Sequence, residues 1–376
     1  MGEFESIEVF RHPDLGRPPL EELRELPDRA EEFREVIRAS GTVDAFWSRS
    51  LVTLPYLRRY GLYEACWIPA PYVWFTNRVF IVRWADASGV TRTLLAEPTD
   101  HELGDRTPFF AQEKQRIARF GPWLEHRMVE RHATLLQVLA QAGIAPEEVD
   151  YLSFDHLHTQ DVRRLIGTHE PVPELGHPDE PVPAWFPNAK LIVQAAEIAH
   201  LDHGIHPFQQ RFFQPPDRYD HLPREQLLVI DGDVLLGPGV ALMRTPGHTL
   251  GNHSLVVNTA ERGIFTSSEN GISADSYAPR HSRIPGVRRW AKKWGYEVVM
   301  NFNTPEFASL QYNSMVKERL VADPVPGAPG FRQTVPSSEL VHHPLAPGIR
   351  PTLVHGDLTL GQLTGAGAQI ADNATA

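Results

Sequence analysis

The chain has a single cysteine, Cys66, among its 376 residues. One thiol excludes an intramolecular disulfide framework and any thiolate cluster built within one chain, so a metal would have to be held by imidazole and carboxylate. Cys66 itself reads as a small core residue. Long apolar runs are also missing: none approaches ~18 residues, and no basic segment leading into an apolar one opens the chain. We therefore expect a cytoplasmic protein without a membrane span. An excess of positive charge is absent too, since 36 Lys and Arg against 47 Asp and Glu give a net charge of -11. That balance disfavours a nucleic-acid backbone or an anionic membrane as partner. The basic clusters at Arg116 to Arg119 and Arg283 to Arg289 read as solvated helix faces. No internal repeat of fixed period occurs.

What is present is the composition of an ordinary globular enzyme, 41% hydrophobic and long enough for a sizeable core. Residues 1–60 are charged and proline-bearing, with a helix expected from Glu21 to Ser40, and read as a helical extension packed on a core. Val73 to Ala85 and Thr91 to Ala96 are rich in β-branched and aromatic residues around a turn with Asp86 and Gly89, which predicts a hairpin. Helical spacing runs from Gln112 to Ala142, and Gly143 gives a C-cap signal. "YLSF" then predicts a short buried strand, and "VRRLIG" a helix. The Pro-rich "HEPVPELGHPDEPVPAWFP" reads as an ordered surface loop. "AKLIVQAAE", "QLLVI", "VALMRTP", "HSLVVNT" and "GIFTSS" read as strands, with "TLVHG", Thr352 to Gly356, as the last one. The small, polar segment from Gly365 is expected to be flexible.

Chemistry concentrates just past the strand ends. His156 and His158 are two apart in "FDHLHTQD", so in an extended segment their side chains share a face. Two imidazoles do not close a zinc or iron site, and "TPGHTLGNHS" offers a third, His248, in a tight turn. Asp161, Glu269 after "GIFTSS" and His355 in "TLVHGD" complete the candidate set. Eight further histidines (His126, His132, His177, His200, His203, His206, His342 and His343) read as scattered surface residues. The aromatics of "YVWFTN", "PAWFP" and "PFQQRFF" are candidates for an apolar pocket lining, although core positions are their commoner fate.

HxHxxD at a strand end, then GHTxG, then an acidic residue and a last histidine, resembles the metallo-β-lactamase fold superfamily, including its glyoxalase II-like and lactonase-like hydrolases. The resemblance runs from about Val73 to Leu363. It implies an α/β fold, a four-layer αββα sandwich over residues 61–364, with residues 1–60 as a helical extension and 365–376 as a tail. It also implies that His156, His158 and His248 hold a first ion, and that Glu269 and His355 lie near a second position. The family's Asp-His in the first motif is Gln160 and Asp161 here, and Ser268 competes with Glu269 for the acidic position. Asp161, Glu269 and His355 are the candidate donors to a second ion, and a weak or empty second position is equally compatible with these substitutions.

The resulting expectation is an enzyme, a metal-dependent hydrolase of a small-molecule ester, lactone, thioester or amide that uses a metal-bound hydroxide, with Asp161 orienting or deprotonating the water. Zinc is the expected cofactor, as one or two ions, with iron or manganese also compatible. A homodimer is allowed. The alternatives are an iron-dependent oxidoreductase on the same fold and a non-catalytic metal-binding homologue.

Overall fold

The computed structural model describes residues 3–10, 18–119, 121–215, 219 and 222–363. The tail expected to be flexible from Gly365 lies outside the described residues. Among the described residues, sixteen strands are distributed over two large sheets and one small ribbon: β1 (Glu5–Ile7), β2 (Ala45–Leu57), β3 (Tyr72–Ala85), β4 (Thr91–Ala96), β5 (Glu130–Arg131), β6 (Tyr151–Ser153), β7 (Pro171–Val172), β8 (His177–Pro181), β9 (Lys190–Gln194), β10 (Leu227–Ile230), β11 (Asp233–Gly237), β12 (Val240–Arg244), β13 (His253–Thr259), β14 (Gly263–Ser267), β15 (Ser338–Val341) and β16 (Thr359–Gly361). The five-stranded sheet runs β1-β11-β12-β13-β14; the nine-stranded sheet runs β10-β9-β6-β4-β3-β2-β16, with β15 on β3 and β5 on β2.

The layering follows from two-residue alternation along each strand. Phe80 and Val82 of β3, Leu94 of β4 and Ile192 of β9 face inward, where they meet Val240 and Leu242 of β12, Leu255 and Val257 of β13 and Phe265 of β14. The intervening residues Val79, Ile81, Leu95, Leu191 and Val193 face outward, against Leu135, Val138 and Leu139 of the helix Leu135–Ala142. On the opposite side, Ala241, Met243, Val256 and Ile264 pack under the helices Pro19–Ser40 and Ala308–Val321 through Phe33, Ile37, Met315 and Val316. The result is a helix–sheet–sheet–helix sandwich. Each fully buried aliphatic or aromatic side chain in these layers contributes on the order of 1.5–3 kcal/mol of transfer free energy. No helix among the described residues is long and apolar enough to cross a membrane.

The structure corrects several expectations. The boundary at residue 60 cuts through the sheet, because β2 pairs with β3 from Ala45↔Arg83 to Leu57↔Tyr72 and belongs to the core. The helix before it, which starts at Pro19, a residue suited to a first helical turn, packs on the five-stranded sheet as one of the outer layers. The helical run 112–142 is three helices, Pro108–Ala118, Pro122–Met128 and Leu135–Ala142, interrupted by Gly121 at φ +116 and by β5. The Pro-rich insert carries the β7–β8 ribbon. "QLLVI" joins the other sheet, parallel to β9, and "AKLIVQAAE" is a strand only to Gln194, where the helix Ala195–His203 begins. Thr352 to Gly356 is not a strand; the last strands are β15 and β16, so His355 sits in a loop.

Candidate metal centre

The site forms where strand ends of both sheets meet. β4 and β6 run parallel with Ala96 opposite Ser153, so the chain segments leaving them lie side by side. β6 delivers His156 and His158, β12 delivers His248, and β14 delivers Glu269. Two glycines make the His248 turn possible. Gly247 has φ +149, and a Cβ there would lie 2.2 Å from Gln311 Cα. A Cβ on Gly251 would lie 2.4 Å from the Glu197 backbone nitrogen. Only a residue without a side chain permits either approach.

The three imidazoles converge. One ring nitrogen from each of His156, His158 and His248 falls within a mutual separation of 4.8 Å, and all three residues are buried. The rings of His156 and His248 are stacked, with centroids 4.2 Å apart. Both ring nitrogens of His158 and Nδ1 of His248 are buried without a hydrogen-bond partner. Buried polar atoms rarely stay unpaired.

The surroundings are acidic. Glu269 Oε2 lies 3.2 Å from His156 Nε2. Asp155 Oδ2 accepts from the Glu269 backbone N–H at 2.5 Å, and Glu97 Oε1 accepts from the Asp155 N–H at 2.8 Å. Burial pulls the His156 imidazole toward neutrality, but the carboxylates of Asp155 and Glu269 outweigh it and raise its pKa to about 9. Burial, then the charge on His156, holds His158 and His248 far below the ordinary range. Burial also raises Asp155 to about 6, and it lifts Glu97 well above the carboxylate range with help from Asp155. The cluster thus stabilises one positive charge amid neutral imidazoles and buried carboxylates. A cation held by His156, His158 and His248 would meet that electrostatic demand and occupy the unpaired nitrogens.

A surrounding shell fixes these donors. Glu197 accepts from the Leu157 N–H at 2.8 Å and from Thr249 Oγ1 at 2.6 Å, which clamps the two histidine loops together. The Asn270 Oδ1 accepts from the His248 N–H at 3.2 Å, and Asn303 Nδ2 lies 3.2 Å from His248 Nε2. Thr159 is held at φ +61, a strained value for a β-branched residue, while its N–H donates to Phe212 O at 2.6 Å. Phe212 and Phe213, from "PFQQRFF", pack on the His158 ring.

The remaining expected donors are placed differently. Asp161 is tied to Arg163, Oδ1 to Nε at 2.9 Å and Oδ2 to Nη2 at 2.7 Å. His355 Nδ1 donates to Glu339 Oε1 at 2.9 Å, and Arg78 pairs with the other Glu339 oxygen. Ser268 donates to Glu318 at 2.8 Å, inside the protein. A cavity of about 50 Å³ borders the centre, lined by Glu269, Gln160, Thr159, Asn77 and Ser338, and by apolar Val52, Leu54, Phe75 and Phe110. Sequence reasoning missed Glu97, Asp155 and Glu197. Asp155 sits beside His156 in the same motif, and Glu97 ends an apolar strand, so a local signal existed for both; Glu197 gave none.

No family profile matches the chain. Over 129 residues it is 28% identical to an N-acyl homoserine lactonase of a Bacillus species, a match covering 34% of this chain and 41% of that protein. A lactonase of the same name from Bacillus cereus is 25% identical over 130 residues, or 35% and 41% of the two chains. The matched region thus spans about two fifths of either relative's length. Among solved structures, a probable metal-dependent hydrolase from Staphylococcus aureus is similar with a TM-score of 0.49 and 12% identity, over 74% of this chain and 85% of that one. A dizinc quorum-quenching lactonase is similar with a TM-score of 0.43 and 13% identity, over 85% and 92% of the two chains. The fold itself is a sandwich of two sheets face to face under outer helices, with histidines delivered at one sheet edge by the loops after β6 and β12.

Proposed function

We propose that this chain is a metal-dependent hydrolase acting on a small-molecule lactone or related ester, with His156, His158 and His248 as the ligands of a zinc ion. The observation that carries this reading is the convergence of three buried imidazoles, with both ring nitrogens of His158 and Nδ1 of His248 lacking a hydrogen-bond partner. When bound, the ion supplies a water of lowered pKa and a polarised carbonyl. The protein supplies the rest. Glu269 faces both His156 and the cavity, so its Oε2 is placed to take a proton from water and return it to the leaving oxygen. Asp161, committed to Arg163, is not so placed. Val52, Leu54, Phe75 and Phe110 give the cavity an apolar wall, and Asn77, Gln160 and Ser338 give it polar groups that orient an ester or lactone. The lactonase similarity makes acylated lactones the first substrates to try.

The test is a panel of lactones and simple esters assayed with wild type, with His158→Ala, and with chelator-treated protein before and after zinc is restored. We expect turnover that chelation abolishes, that zinc restores, and that His158→Ala lacks. Turnover that survives complete chelation sinks the reading.

A further inference from the structure

The sequence left open a second ion held by Asp161, Glu269 and His355 or a weak or empty second position, and the placement of Asp161 favours the latter. Asp161 is 4% exposed, and both of its oxygens are engaged by Arg163, itself 4% exposed. The third arm of that guanidinium reaches Glu174 Oε1 at 2.6 Å. For Asp161 to ligate a cation, the fork must be broken and a buried guanidinium left beside an incoming divalent charge. Both effects oppose binding, by a hundredfold or more in order of magnitude.

The neighbouring position is Gln160, a neutral amide that lines the cavity and is a weak ligand for a hard or borderline cation. His355 keeps a buried Nε2 without a partner, and Glu339 orients its ring through Nδ1. Glu269 supplies one carboxylate. Of the three expected donors two remain, one short of the three that a catalytic zinc site takes. Among the described residues, the grouping of ligand atoms within 4.8 Å consists of the three histidines, and no carboxylate joins it.

We infer that the chain binds one divalent ion tightly, at His156, His158 and His248, and that the second position has lost its third donor because Arg163 has taken Asp161 into a buried ion pair. This rests on the hydrolase reading for the first ion, but the measurement separates the two. The full-length protein is stripped with chelator, reloaded with excess zinc, dialysed and analysed for bound metal; a parallel manganese-loaded sample is examined by electron paramagnetic resonance.

We expect about one zinc per chain and no exchange coupling between manganese ions. Two zinc ions per chain of affinity within about tenfold of each other, or an exchange-coupled signal, would overturn the inference while leaving the hydrolase reading intact. No retained metal would overturn both. Asp161→Asn, which keeps the shape and loses the charge, is expected to retain the same stoichiometry and an affinity within about threefold of wild type, whereas His248→Ala loses the ion. Loss of bound metal in Asp161→Asn, with an unchanged circular dichroism spectrum, would show that Asp161 is a ligand after all.

Discussion

Glu318, in the helix Ala308–Val321, is a buried carboxylate that organises the loop behind the candidate metal centre, and its energetics can be tested directly. One oxygen accepts from Ser254 Oγ, Ser268 Oγ and Asn270 Nδ2, each at 2.8 Å, and the other accepts from Tyr277 OH at 2.6 Å. Asn270 passes the constraint on to His248. Glu318→Ala removes the acceptor of four hydrogen bonds, and since Ser254 Oγ can turn to Thr245 Oγ1 at 2.7 Å, three donors are left without an acceptor. At about 1–3 kcal/mol for each unsatisfied buried donor, the loss is about 3 kcal/mol even at the low end. That is a large share of the ~5–15 kcal/mol by which domains are stable.

Glu318→Gln separates shape from charge. Its carbonyl serves the three donors, and its amide faces Tyr277, whose hydroxyl rotates to accept. Losing the charge weakens four hydrogen bonds but removes the cost of burying an anion. The balance is readable from the acid's pKa, which burial raises above its ordinary 4.5 despite those four bonds. The fold therefore favours the neutral form. For an acid whose folded pKa is raised, this contribution is complete below the unfolded pKa and is lost as pH rises through the folded one. Urea melts of metal-free wild type and Glu318→Gln between pH 4 and pH 8 should show the variant within about 1 kcal/mol of wild type, or above it, at pH 7. The difference should move in favour of Gln as pH rises from about 4.5. Wild type gaining on the variant over that interval would refute the reasoning, because it would mean that the ionised carboxylate is net stabilising.

Three further outcomes are expected. Gly251→Ala drives a Cβ into the Glu197 backbone and should loosen the clamp on Leu157 and Thr249, lowering zinc affinity by about 10–100-fold in chelator competition, as disturbed support of metal ligands does. Glu339 is pulled down to about 2, against the opposing effect of burial, by Arg78 and by its bonds to His355. Its contribution to stability is therefore present above about pH 4.5 and lost as pH falls toward 2, so Glu339→Gln should flatten the acid limb of a pH-stability curve. Glu269→Gln keeps the size of the side chain but cannot carry a proton, so kcat on a lactone should fall at least ~100-fold with bound zinc retained. A variant with normal kcat would exclude Glu269 as the proton carrier.

The parts of the site that announced themselves in the sequence are those that follow from local rules. His156 and His158 share a face because they sit two apart beyond a short apolar strand, and Pro246, Gly247 and Gly251 mark the turn that carries His248. β3 and β4 were legible to within a residue because their β-branched and aromatic runs flank a turn. Failures arose where a distant partner decides the outcome. β15 is four residues, SELV, with a charge in the middle; it is a strand because it pairs with Thr76 and its neighbours on β3, and its Glu339 is buried because Arg78 lies beside it. "TLVHG" has the better strand composition, yet it finds no strand to pair with.

Asp161 shows the same limitation at the level of chemistry. Read as a letter in HxHxxD, it is an anionic donor three residues after His158, and nothing nearby argues otherwise except Arg163, which looks like part of a helix. The backbone decides between these fates. Val162 has φ -92 and ψ 0, and the Arg163 N–H donates to Asp161 Oδ1 at 3.3 Å, so the turn that starts the helix folds the carboxylate back onto the guanidinium two residues on. A carboxylate next to an imidazole cluster is a ligand only if its charge is unclaimed, and here a cation of the protein's own has claimed it. The spacing of donors thus pointed to the histidines that converge, whereas the number of ions the proposed site would hold depends on which carboxylates the arginines leave available.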